Sequence, residues 1–463
     1  MSIQTLKEKY FGPKEFYENT ARIAVPLALQ SMLQSTMSTI DTLMVSWIGM
    51  VSAVGTAAQI DVLSGMVSYG FMGGIGMFSA QFYGAGDRYN LKRCMGFGLL
   101  LMMSNGLLWF IIASLFGRQI LHFYMSDPAV VEAGMRYLHI AKYHLLLNPL
   151  GFCFSSMYRN THQPRLALRI SIFSSLMNVF LNACLIWGLG PFPAMGVEGA
   201  ALATVLSGAF SALILITHAV RTKQPFVGSF KEMFGSLDLD FVRPIFSKMW
   251  PLIVNETIFG FGQTLFVRAF GRLGKTQMDA YYVGNQIFNL FTFIIYGYGN
   301  AVQILLGTTL GEGKIEQAKQ ECRYHLGSGG VISAVLVILL VVLAHPLVWI
   351  FKVTDPVSAS LAVKIIYVFA VKVSMRMFNF IIFCVLRSGG DAKVIQYLDA
   401  GIEWAVGLTS AFFCVNVLHM QNIALVLLVT QLEQLVRLIF GMQRVRKNYW
   451  AKDLTGLVQQ GGS

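Results

Sequence analysis

Charge is scarce in this sequence. Of 463 residues only 13% are Asp, Glu, Lys or Arg, 55% are hydrophobic, and the mean hydropathy is +0.60. A water-soluble globular protein of this length needs far more charge to cover its surface, so that class is excluded. Cysteine is scarce too: the six, at 94, 153, 184, 322, 384 and 414, lie through or beside apolar segments with no C-x-x-C spacing. That scatter points to packing or inert thiols and away from metal or dithiol chemistry. There is no Walker loop, no glycine-rich strand-to-helix turn, no H-E-x-x-H and no Gly-x-Ser-x-Gly, so the chain reads as no enzyme. It needs no cofactor, and energy for any work comes from outside, most simply from a gradient of H+ or Na+. No cleavable leader is expected, because the first twenty residues are polar and basic with no central apolar run before Ile23.

What the sequence does have is long apolar runs. Twelve of them, each near the roughly 20 residues needed to cross the hydrocarbon core, lie at 20–48, 53–83, 93–116, 132–158, 166–189, 196–220, 242–272, 276–311, 324–349, 358–386, 393–417 and 421–443. The expected fold is all-α and polytopic, with twelve transmembrane helices in two pseudo-symmetric six-helix bundles. The second half repeats the first. Ser126-Asp127-Pro128 and Arg159, the latter read as lying in a polar loop, recur 228 residues later as Thr354-Asp355-Pro356 and Arg387. Pro26-Leu27 pairs with Pro251-Leu252, and Gly84-Ala85-Gly86-Asp87 with Gly311-Glu312-Gly313-Lys314. The domains read as 1–220, a linker at 221–241, a second lobe at 242–445 and a tail at 446–463. Two such halves suit a carrier that moves a solute by tilting one against the other.

Loops reached after an even number of crossings carry the bases: Arg88, Lys92 and Arg93, then Arg159 and Arg165, then Arg221, Lys223 and Lys231, then Arg323, and finally Arg387 and Lys393. The alternate loops carry almost none, which puts both termini in the cytoplasm. The net charge of +12 is therefore a topogenic and lipid-contacting surplus, and no nucleic-acid surface is implied.

Ionisable groups within apolar helices are expensive, about 2.5–3.5 kcal/mol each on insertion scales, so each needs a reason. On the first helix Gln30, Gln34, Ser38 and Asp41 form one stripe at spacings of four and three. A run of amides leading to a carboxylate reads as a cavity wall; a packing pair with a neighbouring helix is the alternative. Asn178 and Asn182 on helix five, four apart, can meet Asp41 and hold a Na+ ion or a protonated carboxyl with it, or serve only as interhelical hydrogen-bond glue. Asp61 on helix two is a second-rank candidate.

The second copy has Phe266 where the first has Asp41, and offers Glu256 on helix seven, beside Asn255 and near Gln263. Glu256 is the C-terminal candidate for binding an ion or a cationic solute; the competing view is a structural pair, since Lys372 and Arg376, four apart on helix ten, can each neutralise Glu256, Asp399 or Glu403. Asp399 and Glu403 form an i, i+4 carboxylate pair on helix eleven whose charges repel, so that one is protonated or a cation lies beside them. Glu433 and Arg437 read as a local ion pair. Asn285, Gln286, Asn289 and Asn300, with Tyr281, Tyr282, Tyr296 and Tyr298, make helix eight unusually polar and aromatic, suited to an organic cation by cation–π contact or simply to interfacial anchoring. Gly297 and Gly299 read as close packing or as a bending point.

The segment Ile40-Asp41-Thr42-Leu43-Met44-Val45, the Gly84-Ala85-Gly86-Asp87 loop, Gly196-Val197-Glu198-Gly199-Ala200-Ala201-Leu202-Ala203-Thr204 and Arg387-Ser388-Gly389-Gly390-Asp391 occur in that order. With the duplication, the chain from about 15 to 450 resembles the multidrug and toxic compound extrusion (MATE) transporters. The resemblance implies a V-shaped twelve-helix antiporter of the bacterial inner membrane, monomeric, that expels amphipathic, often cationic compounds in exchange for H+ or Na+. Asp41 matches that family's first-helix acid, Asn178 its fifth-helix asparagine and Glu256 a seventh-helix glutamate of some members. Asn182 stands where many members have an acid, and Lys372 and Arg376 occupy the helix where some relatives have one. A flippase for a lipid-linked saccharide or cell-wall precursor, or a non-transporting membrane receptor or scaffold, are the competing functions.

Overall fold

The computed structural model describes residues 9–125, 127–350 and 356–459, and of Lys275 the backbone alone. Ser126, Thr354 and Asp355 of the repeated landmark lie outside the described residues. Among the described residues the regular elements are all helices, and the twelve-helix fold expected from the apolar runs is the one observed.

The spanning helices run, in order, over Lys14–Ser46, Val51–Gly84, Arg88–Tyr124, Pro128–Asn160, Pro164–Trp187, Val197–Arg221, Leu239–Gly271, Lys275–Gly311, Ile315–Ile350, Pro356–Ser388, Ala392–Asn416 and Ile423–Arg446. Among the described residues, nine are long and apolar enough to cross a bilayer on length and hydropathy alone. The other three are the first, the fourth and the seventh. The first carries Asp41 and the seventh Glu256, ionisable groups that interrupt an apolar span. The fourth is broken: Pro128–Ala141 and His144–Asn160 meet at a turn over Lys142 and Tyr143, where the sequence had suggested one continuous helix. In the eleventh, Tyr397–Gly401 and Glu403–Leu408 are wound as π-helix, a form concentrated at functional sites.

Local chemistry accounts for the repeated loop. Gly86 takes the left-handed conformation (φ 69°) and Asp87 then caps the third helix, accepting from the Asn90 backbone N–H at 3.0 Å. Gly313, at φ 74°, makes the corresponding turn in the second copy. Outward faces follow helical spacing: Leu107, Leu108, Ile111 and Leu115 on the third helix, and Val331, Val335, Ile338 and Val342 on the ninth, are exposed apolar side chains suited to acyl chains.

The chain divides into two compact units. One contains residues up to Ala28 together with Ser247–Leu457; the other contains Leu29–Phe246 and the residues from Val458 on. In the first, the Ala28 backbone leaves no room for a side chain at Gly297, and Phe380 and Cys384 leave none at Gly299, so both glycines serve close packing. Trp450 is fully buried, with its carbonyl against Gly389 and Leu454 over Gly390. Arg444 grips Asp391 through two hydrogen bonds, at 2.6 and 3.1 Å. In the second unit the stretch after the sixth helix is structured. Ser229 and Glu232 form a capping box over the short helix Phe230–Phe234. Lys92 reaches Glu232 at 2.7 Å, Arg93 bonds Asp238 at 3.0 Å and the Ser236 carbonyl, and Phe226 is buried against Phe154 and Tyr158.

Candidate cation-coupling site

Asp41 lies half-buried on the last turns of the first helix. Asn182 Nδ2, from the fifth helix, donates to Asp41 Oδ1 at 2.8 Å and to Asn178 Oδ1 at 3.1 Å. Asn178 Nδ2 in turn donates to Ser207 Oγ at 3.2 Å, and Ser207 Oγ to the Thr204 carbonyl at 3.1 Å on the sixth helix. Both asparagines are buried, and Asn182 Oδ1 is a buried acceptor without a hydrogen-bond partner. Asp41, Asn178 and Asn182 therefore converge. A carboxylate beside a free amide oxygen can bind H+, or Na+ through hard oxygen donors.

Tyr137, Thr204 and Ser207 complete this network and were not foreseen. Tyr137, buried on the fourth helix, hydrogen-bonds Thr204 and stands within electrostatic reach of both Asp41 and Asp61. Asp61 Oδ1 is 3.5 Å from His144 Nδ1. The three-residue spacing of Thr204 and Ser207 was the available signal; Tyr137 had none apart from its hydroxyl in an apolar run. Gln30 turns to Ser171, at 3.0 Å, and Ser155, at 3.4 Å, whereas Gln34 and Ser38 are exposed. The stripe is thus continuous in sequence but divided in its partners.

In the other unit the polar residues also converge, with different pairings from those expected. Lys372 and Arg376 form no ion pair with Glu256, Asp399 or Glu403 among the described residues. Lys372 Nζ lies 4.9 and 5.3 Å from the ring centres of Phe288 and Phe369, a cation–π seat, and Arg376 hydrogen-bonds Tyr296 with its guanidinium 5.9 Å from Phe259. Glu256 is paired instead with Arg387 at 3.3 Å. Arg387, read from sequence as a cytoplasmic loop base, belongs to the tenth helix, and Arg159 likewise to the second segment of the fourth. The reason is physical: hydropathy locates the apolar centre of a helix, and long helices carry basic side chains well past it.

Asp399 is held by Arg437 Nη1 at 3.2 Å, by Asn255 Nδ2 at 3.1 Å, and through its own carbonyl by Arg437 Nη2 at 3.0 Å. Arg437 also lies 3.6 Å from Glu433, the local pair expected from their spacing, and is thus the cation beside Asp399 but not beside Glu403. Glu403 is fully buried, and Gln263 donates to its Oε1. Asn285 is half-buried on the eighth helix and joins neither network.

A model of the MatE family matches residues 26–184 and 251–400. The chain is 24% identical over 331 residues to the probable multidrug resistance protein YoeA of Bacillus subtilis, an alignment covering 71% of this chain and 72% of that protein. It is 24% identical to the probable multidrug resistance protein NorM of Neisseria meningitidis serogroup A, over 84% and 85% of the two chains. In structure it matches a mutant of the Vibrio cholerae MATE transporter VcmN with a TM-score of 0.86 at 12% identity, over 94% of this chain and 98% of that one.

Proposed function

Because the chain belongs to the MatE family of multidrug efflux transporters, we propose that it is a secondary antiporter that exports amphipathic organic cations in exchange for H+ or Na+. The observation that carries this reading is the hydrogen-bonded set Asp41, Asn182 and Asn178, with one carboxylate and an unpartnered buried amide oxygen. Asparagine cannot release a proton, so Asp41 supplies the charge that a coupling cation neutralises. A proton makes Asp41 a donor. Sodium draws on Asp41 together with the amide oxygens of Asn178 and Asn182.

Either ion changes the net charge of the first and fifth helices by one. That change couples to solute affinity, and alternating access of the two halves then carries the solute outward while the membrane potential adds about 2.3 kcal/mol per charge per 100 mV. Asn285 and the tyrosines of the eighth helix offer the solute an amide and aromatic faces. The protein works in this reading as a monomer in the bacterial inner membrane with both termini in the cytoplasm, as the distribution of Lys and Arg suggests.

The test is uptake of a fluorescent organic cation into everted vesicles under an imposed H+ or Na+ gradient. Accumulation that requires one of the gradients and vanishes in D41N is the expected result. Gradient-independent accumulation, or normal accumulation by D41N, defeats the proposal.

A further inference from the structure

We propose that Glu403 is a proton-binding group, carried as a neutral carboxylic acid in the captured conformation, and that it forms a second coupling site separate from Asp41. The inference deepens the antiport reading of the preceding subsection, and its test does not depend on transport. Glu403 sits where the π-helical turn of the eleventh helix begins and is wholly buried. Its Oε1 accepts from Gln263 of the seventh helix, and its Oε2 is buried with no hydrogen-bond partner. The place is built for a carboxyl: a Cβ at Gly262 would come within 2.9 Å of it, so only glycine on the seventh helix leaves the space.

The charged groups facing Glu403 are all otherwise engaged. From the twelfth helix, Arg437 is ion-paired with Asp399 and Glu433, while its Nε and Nη1 make no hydrogen bond. Glu433 itself accepts from Gln434 at 2.9 Å. From the tenth helix, Lys372 lies over Phe288 and Phe369, and Arg376 is bonded to Tyr296. Asp399, four residues earlier on the same helix, adds a second negative charge. Glu403 therefore has two acidic neighbours and, among the described residues, no cation within ion-pairing distance. An ionised carboxylate left uncompensated in a dry interior costs far more than a neutral acid, and two nearby carboxylates increase the difference. Neutralisation requires one proton bound at Oε2. Opening the site to water, or bringing Arg437 or Lys372 to it, releases that proton.

Infrared spectroscopy of the purified protein reads this directly, because a neutral carboxylic acid absorbs in a window free of amide and carboxylate bands. The wild type at neutral pH should show a buried-acid band that D41N retains and E403Q loses. Gln263→Met removes the hydrogen bond to the carbonyl oxygen and should move the band to higher frequency, which keeps the test decisive if E403Q fails to fold. An E403Q spectrum that superimposes on the wild type, or a band unmoved in Q263M, overturns the proposal. Loss of coupled efflux in D41N tests the Asp41 reading alone, so either site can fail without the other.

Discussion

Asn182 donates its side-chain amide to Asp41 at 2.8 Å across 141 residues of sequence, and the same nitrogen reaches Asn178. This single amide joins the first helix to the fifth and leaves its oxygen free. Asn182→Ala removes a donor to a charged acceptor, an interaction worth about 1.5–3 kcal/mol. The expected outcome is a roughly tenfold or larger change in the cation concentration giving half-maximal transport, lower for H+ because a carboxylate without its donor holds a proton more tightly and higher for Na+ because the site loses an oxygen, measured in proteoliposomes, with insertion unchanged. Unaltered cation dependence counts against a role for this amide.

Arg387 and Glu256 are both only partly exposed, so removing one partner strands a charge. Arg387→Met should lower stability by about 1–3 kcal/mol, less than the loss for a fully buried pair. The double variant Arg387→Met with Glu256→Gln should recover most of the loss. Thermal melting in detergent checks this; equal melting points for the single and double variants indicate that the pair contributes nothing.

Gly389 lies against the carbonyl of Trp450, with no space for a methyl group. Gly389→Ala must push backbone, not a flexible side chain, and should cost about 1–3 kcal/mol. It should also release the segment after Arg446, seen as faster proteolytic removal of the C-terminal tail. A tail that stays protected shows that the tenth helix can shift to accommodate the methyl group.

Outside the membrane, the Lys92 ammonium together with the Ser229 hydroxyl and backbone N–H holds the Glu232 carboxyl down to about 2, from its ordinary 4.5. A depressed carboxylate contributes stability that is complete above its unfolded value and is lost as pH falls through the folded one. The latch over Phe230–Phe234 should therefore hold at neutral and mildly acidic pH and open only toward about pH 2. Carbon-13 titration of Glu232 should give that midpoint. Glu232→Gln should accelerate tryptic cleavage after the exposed Lys231 at neutral pH.

Long apolar runs and a repeat visible at 225 to 228 residues of displacement were enough to determine a twelve-helix membrane protein in two copies. Lipid leaves the backbone few options other than the helix, and length plus hydropathy then state the number of crossings. The stripe of Asp41 and the spacing of Asn178 and Asn182 were legible for a similar reason, since a helix places residues three and four apart on one face.

Tertiary structure alone decided which faces meet. Periodicity gives the direction of a side chain but not the helix opposite, so Lys372 was a candidate partner for Glu256 and Asp399, which Arg387 and Arg437 in fact hold, while Lys372 took an aromatic seat. The isolation of Glu403, the entry of Tyr137, Thr204 and Ser207 into the Asp41 network, and the exclusion of Gln34 from it depend on contacts between residues far apart in the chain, and on which partner reaches a buried charge first.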